Sequence, residues 1–365
     1  MTTLPPGVTL QQIDGGPNYY ASNGLTYAVN AGWDNPSFFP IGPWSDMLLT
    51  QSDATRWLDL NWNTAFTLTA NSDLSLLRSN RISAVLQFSE LSAFTATLGT
   101  ETVGLLTADE GGITDTQNAI GTIANSIQNG RFWYINNTWN FINYGDLSGI
   151  PAPQVLSMPI TTPNGTSRHI DVQSVDIYWF AGGKSSNPIL RQGGLIYNLG
   201  RDMTPDEAER GSNYGDMIDA ERAFQGAHPA PIVAVIEDGG PYGEDTSASD
   251  YITPPELNWA VWSSIIHGAR MIDYFNHTFA GPAPSQDNLA QPFYQTVQPG
   301  QTISIYNQVK ATDALVEQLA PVLNSPFALN YVMVNGSHYD FGTPDHTLGG
   351  LECPSENILN PLNRL

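Results

Sequence analysis

The sequence predicts an α/β protein built as one (β/α)8 TIM barrel with N- and C-terminal extensions. Short β-rich runs alternate with longer helical stretches along most of the chain, the pattern of parallel strands joined by crossover helices. The runs number eight, which closes a barrel, whereas an open doubly wound sheet is the alternative. Several runs are apolar on both faces, as strands covered on both sides must be, and VGLLTA at 103–108 is the clearest. At 365 residues with 41% hydrophobic content, the chain has ample material for one such barrel.

The first strand is expected at 38–44 (FFPIGPW), followed by a helix carrying Trp57, Leu58 and Leu60. Strands at 63–68 and 82–88 flank a short helix at 74–78, and the fourth strand is 103–108. A helix at 117–128 has Ile120, Ile123, Ala124 and Ile127 on one face, and leads into a strand at 132–135. Residues 139–169, rich in Pro, Gly, Asn and Thr, read as a long loop. Strands six and seven are expected at 172–180 and 232–236. The next helix is the best marked. Thr253 and Glu256 form a capping box and Pro254 takes the first helical position, with Trp259, Trp262, Ile265, Ile266 and Ala269 on the buried face. Strand eight (271–275) and a closing helix (308–323) complete the barrel. The expected division is an N-terminal extension (1–36), the barrel (37–325) and a C-terminal extension packed on it (326–365).

Composition narrows the function. The formal net charge is −22, charged residues are only 13%, and Lys184 and Lys310 are the sole lysines. A phosphate-binding footprint needs clustered Lys and Arg, so nucleic acid and anionic membrane are excluded as expected partners. A surface of Asn, Ser, Thr, Gln and Gly suits a carbohydrate polymer. Cys353 is the one cysteine, so no internal disulfide forms. The N-terminus has no basic and apolar signal-peptide regions, and no apolar run reaches the ~18 residues of a membrane span. Sequons stand at Asn136, Asn164, Asn276 and Asn335. The histidines show no metal spacing, the acidic run 237–250 lacks the EF-hand ligand pattern, and GGKSS at 182–186 lacks the first P-loop glycine. No G-x-S-x-G elbow is present. No metal or cofactor is expected.

Two strands end in carboxylates. Strand four reads VGLLTADEGG and ends in Asp109 and Glu110; strand seven reads PIVAVIEDGG and ends in Glu237 and Asp238. Barrel chemistry sits at the C-terminal strand ends, so both pairs are expected in one pocket. Cleaving a glycosidic bond takes two carboxyl groups, one to protonate the leaving oxygen and one to attack or to activate water. Trp44, Trp139, Trp179, Tyr242 and Phe275 are candidate sugar platforms near strand ends. Asp46, Glu90 and Asp176 lie near the same rim as candidate hydroxyl ligands, and His277 follows strand eight.

These segments resemble the clan A glycoside hydrolases, in particular family 42-like and cellulase-like members. PIVAVIEDGGPYG followed by YITPPELNWAVWSSIIHGARMIDYF is similar to their strand-seven to strand-eight unit, with Thr253, Glu256, Trp262, Ile265, Gly268 and Ala269 fitting the helix pattern. FFPIGPW with LNWNTAF is similar to their opening strand–helix–strand, and SVDIYWF to their strand six. The resemblance implies a retaining glycosidase with Glu110 as acid/base, Glu237 as nucleophile and Tyr178 beside it. One departure stands out: Asp109 occupies the place where many members carry the Asn that contacts the sugar 2-hydroxyl. The opening LPPGVTLQQIDGGPNYY and the scarcity of lysine resemble glycosidase-like minor tail proteins of actinobacterial phages. That implies a virion-tail or extracellular setting (the cytoplasm is the alternative) and a cell-envelope substrate such as arabinogalactan. Other tail proteins or a second copy would be partners. The competing function is a non-catalytic carbohydrate-binding or adhesion module of a phage tail.

Overall fold

The computed structural model describes residues 18–94, 98–111, 118, 130–137, 169–184, 201–225, 229–241, 251–277 and 288–325. It also gives the backbone of short strands at 10–11, 146–147, 150–151, 160–161, 167–168, 327–328, 332–334 and 337–339. Eight parallel strands close into a barrel: β1 (Ile41–Asp46), β2 (Thr64–Leu68), β3 (Ser83–Gln87), β4 (Thr102–Asp109), β5 (Phe132–Asn137), β6 (Val172–Val175), β7 (Ile232–Glu237) and β8 (Met271–Phe275). Pairing of Ile272 with Ile41 joins the last strand to the first. The expected (β/α)8 barrel is therefore the fold.

Side-chain alternation divides the core in two. Phe66, Val85, Val103, Phe132, Tyr134, Val172, Val233, Val235 and Met271 fill the barrel interior. Ile41, Ala65, Ala84, Ala234, Ile236, Ile272 and Tyr274 face outward toward the helices. The N-terminal segment plugs the bottom: Tyr20, Leu25 and Trp33 join the interior cluster. The Trp33 ring lies 5.2 Å from that of Phe132, and its indole N–H donates to Ser83 Oγ at 3.1 Å. Phe132 and Ser83 open their strands, so this plug closes the N-terminal face and leaves the C-terminal face for chemistry.

The helices include α1 (Gln51–Asp59), α2 (Leu74–Asn80), α3 (Trp179–Lys184), α4 (Ser212–Phe224), α5 (Pro254–Ile266) and α6 (Ile305–Leu323). Their starts follow local chemistry. Thr50 and Asp53 form a reciprocal capping box on α1, Asp73 accepts the Ser75 amide on α2, and Ser304 accepts the Asn307 amide on α6. Glu256 accepts the Thr253 amide at 2.7 Å, as the capping-box pattern predicts for α5.

Three expectations change. Strand six stops at Val175 rather than 180, because the chain turns into α3. The buried face of α5 is Leu257, Ala260, Val261, Ser264 and Ile265, whereas Trp259 is 53% exposed at its outer edge beside Gly211. The 139–169 stretch contains short antiparallel pairs, Asp146–Leu147 with Ile150–Pro151 and Ile160–Thr161 with Ser167–Arg168. The helix expected at 117–128 falls outside the described residues except for 118. Among the described residues no helix is long and apolar enough to cross a membrane.

Gly42 shows how closely β1 and β2 approach. A Cβ there would stand 1.5 Å from the Thr64 carbonyl oxygen, which is backbone and cannot rotate away. Gly42→Ala is expected to cost about 3 kcal/mol or more through forced backbone displacement. A urea midpoint unchanged from the parent would refute that.

Candidate active site

The mouth of the barrel begins with strained backbone. Ser45, Thr67 and Glu110, at the ends of β1, β2 and β4, adopt left-handed conformations with φ of 52°, 67° and 51°. Such conformations cost non-glycine residues roughly 1–3 kcal/mol each and concentrate at functional sites. Glu110 is held there by its amide, which donates to the Asn136 carbonyl at 2.9 Å. Just before it, the β4–β5 register shifts between Leu106 and Ala108, a bulge that re-aims the strand end. Asp109 and Glu110 are consequently exposed, while the preceding β4 residues are buried.

A relay of hydrogen bonds rises through the interior to Asp109. Ser174 Oγ donates to Asn136 Oδ1 at 2.6 Å, so the Tyr134 hydroxyl, 2.5 Å away, donates to Ser174. Asn136 then presents its Nδ2 to Asp109 Oδ1 at 3.0 Å. Asn136 also favours the ionised form of Asp176, which follows β6. One amide thus lowers the pKa of carboxyls at the ends of both β4 and β6. The Tyr178 hydroxyl reaches Asp176 Oδ2 at 3.3 Å, and its ring lies 4.6 Å from Phe275. His277 packs edge-on to Phe275 and donates Nε2–H to the Trp44 carbonyl at 2.6 Å. Trp44, Tyr178 and Phe275 all belong to the interior cluster.

Behind these groups stands Asp273, in the middle of β8. Met271 and Phe275 face the interior, so Asp273 between them does too. It is fully buried, and neither of its oxygens has a hydrogen-bond partner among the described residues. The electrostatics follow from crowding like charges in a desolvated space. Burial, then Asp109, raises the Glu110 carboxyl above its ordinary range. Burial, then Glu110 and Asp109, pushes Asp176 well up. Burial, then Asp176, Asp109 and Asp238, does the same to Asp273. The group therefore retains protons at pH values where exposed carboxyls are ionised.

Glu237 ends β7 as expected, but its carboxylate is committed elsewhere. It is fully buried. Oε1 accepts from the Phe180 amide at 2.8 Å and the Tyr214 hydroxyl at 2.6 Å, and Oε2 accepts from the Ala181 amide at 2.8 Å. Phe180 and Ala181 are in the first turn of α3, whose amide hydrogens have no partner within the helix. Glu237 thus anchors α3, and its oxygens face that helix and α4. Burial raises its pKa to about 7 against those hydrogen bonds.

Other expected site residues divide similarly. Asp46 is buried and bound by the Trp57 indole N–H at 3.0 Å and the Met47 amide, so it braces α1 instead of the mouth. The left-handed turn at Ser45 redirects it. Trp179 is fully buried in the outer layer, not on the rim, because it starts α3. Glu90 is half-buried in a short turn after β3, with its pKa raised by burial. Asp238 is fully buried next to β8. Trp139 and Tyr242 lie outside the described residues. Sequence reasoning missed Asp273, Asn136, Ser174 and Tyr214. Asn136 and Asn276 are buried, so these two sequons offer no accessible acceptor.

No known family's profile matches the chain, and no curated protein matches it. Among solved structures it is similar to the exo-β-1,4-mannosidase Op5Man5 from Opitutaceae bacterium strain TAV5, at 12% identity and a TM-score of 0.48, covering 78% of this chain and 60% of that one. A β-glucuronidase from Ruminococcus gnavus is similar at 8% identity and a TM-score of 0.43, covering 77% of this chain and 49% of that one. A glycoside hydrolase family 5 protein from Bacteroides vulgatus gives 9%, 0.42, 70% and 63% respectively. The chain spans between about half and two thirds of these proteins' length.

Proposed function

We propose that this protein is a glycoside hydrolase acting on a polysaccharide, with Glu110 and Asp176 as its reacting pair. The supporting observation is the placement of Glu110: exposed, in a strained backbone conformation at the end of β4, and electrostatically coupled to Asp176 just after β6. The Glu110 charge helps to raise the Asp176 carboxyl, so one group can protonate the leaving oxygen while the other attacks or activates water. Asn136 holds Asp109 and favours the ionised form of Asp176, and Tyr178 and Phe275 supply aromatic walls.

The sequence pointed to Glu237 as nucleophile, and its place at the end of β7 still favours a second reading. In that reading the carboxylate must leave the α3 amides and Tyr214 before it can reach a sugar. The phage-tail resemblance adds a setting in which the hydrolase would act on host envelope glycan.

A panel of chromogenic glycosides and cell-envelope polysaccharides tests the proposal. Asp176→Asn is expected to reduce turnover at least about a hundred-fold, the scale of general acid–base catalysis. Co-sedimentation with a glycan and release of no soluble sugar would instead identify a binding module.

A further inference from the structure

We infer that the mouth selects a sugar bearing an ammonium group, as in unacetylated glucosamine polymers, and rejects uronic acids. This deepens the reading of the mouth as a glycan-cleaving site and rests on it.

Three observations carry it. Asp109, Glu110 and Asp176 converge at the mouth, and among the described residues none of them is paired with a cation. Among the described residues Arg56 pairs with Asp53, Arg78 with Glu101, Lys184 with Glu256, Arg201 with Glu207, Arg222 with Asp219 and Lys310 with Asp59. Second, Asp273 is fully buried, faces the same interior from β8, and has both oxygens without a hydrogen-bond partner among the described residues. A carboxyl buried in that state leaves an acceptor pair unsatisfied, and an incoming donor or positive charge offsets that cost. Third, among the described residues no three of these acids bring a ligand atom each within 4.8 Å of one another. Among the described residues the one set of three or more with all ligand atoms within 4.8 Å is Asp216, Asp219 and His267, which lies on α4 and just after α5. A group that neutralises dispersed carboxylates is an organic cation on a ring, with hydroxyls to reach the remaining oxygens. An anionic ring would add like charge to a desolvated cluster, which is strongly unfavourable.

The binding also moves protons in a defined direction. An ammonium beside the cluster favours the ionised carboxylates, so binding releases protons that the empty site retains. Arabinogalactan, the envelope polymer suggested by the opening segment, is neutral and serves as the contrasting ligand.

The experiment is titration calorimetry of the full chain carrying Glu110→Gln, which suppresses turnover. The ligands are glucosamine oligomers, N-acetylglucosamine oligomers, arabinogalactan fragments and oligogalacturonate, each run in two buffers of different ionisation enthalpy. Glucosamine oligomers are expected to bind at least tenfold tighter than the others and to release protons. Asp273→Asn is expected to weaken that binding about tenfold. The exposed Asp109→Asn, which does not disturb the core, should weaken it in the same direction. Equal or tighter binding of the acetylated, neutral or uronate ligands, no binding of any, or no effect of either variant overturns the inference. Turnover of a neutral glycan that depends on Glu110 would keep the hydrolase while overturning the cationic preference. Glucosamine-selective binding without turnover of any glycan would do the reverse.

Discussion

Replacing Glu110 by glutamine is expected to lower kcat/KM by about a thousand-fold, within the range for loss of a general acid–base, and to leave stability nearly unchanged. The residue is exposed and, among the described residues, its carboxylate accepts no hydrogen bond, so the loss would be chemical. Glu110→Gly separates the two roles of this position further. Glycine adopts a φ of 51° without strain, so this variant should gain roughly 1 kcal/mol of stability while losing the same activity. A stabilised, inactive Glu110→Gly enzyme is the signature of strain held for function. The neighbouring charge makes a third variant informative. Asp109 raises the Glu110 pKa, so Asp109→Asn lowers it. If Glu110 reacts in its protonated form, the alkaline limb of the pH–rate profile moves to lower pH in Asp109→Asn. Wild-type rates from Glu110→Gln, or a profile that stays in place, would remove Glu110 from the chemistry.

The barrel was legible because its signals are local. Strand lengths, apolar runs and caps such as Thr253–Glu256 are set by neighbours a few residues away, and Met271–Phe275 was read to the residue. Asp109 and Glu110 were legible for the same reason, as the acidic end of an apolar strand. The destination of the second carboxylate was not. Glu237 lies 57 residues from Phe180 and 23 from Tyr214, and nothing in the local pattern shows that α3 starts where it can capture that side chain. The same capture explains the misplacement of Trp179, since Phe180 and Ala181 belong to a helix and not to a longer strand. Asp46 was lost to a backbone turn at Ser45, a conformation that serine does not advertise. Asp273 was available in principle: an acid at the centre of MIDYF, in phase with Met271 and Phe275, must face the interior. It stands mid-strand, where the rule that barrel chemistry gathers at strand ends does not point.

Glu237→Ala is expected to act first on stability. The change strands the Phe180 and Ala181 amides and the Tyr214 hydroxyl in a buried space and opens a cavity, for a loss of about 3–5 kcal/mol. Glu237→Gln keeps the volume and mimics the protonated acid, so it tests charge alone. The folded pKa of about 7 lies above the ordinary 4.5, so the folded chain holds this proton more tightly than the unfolded chain does. That contribution is fully present below about pH 4.5 and is lost as pH rises to about 7, amounting to about 3 kcal/mol. Asp176, Glu221, Asp273 and Asp313 are raised by burial in the same direction. The wild-type protein should therefore be more stable at pH 5 than at pH 8, and Glu237→Gln should show a smaller difference between the two. Urea midpoints at both pH values measure this directly. The nucleophile reading makes a different demand: Glu237→Ala, kept folded at pH 5, would be inactive toward an activated glycoside until azide restores turnover as a glycosyl azide. That product would return Glu237 to the reaction. Its absence, together with the stability loss, would fix Glu237 as the anchor that holds α3.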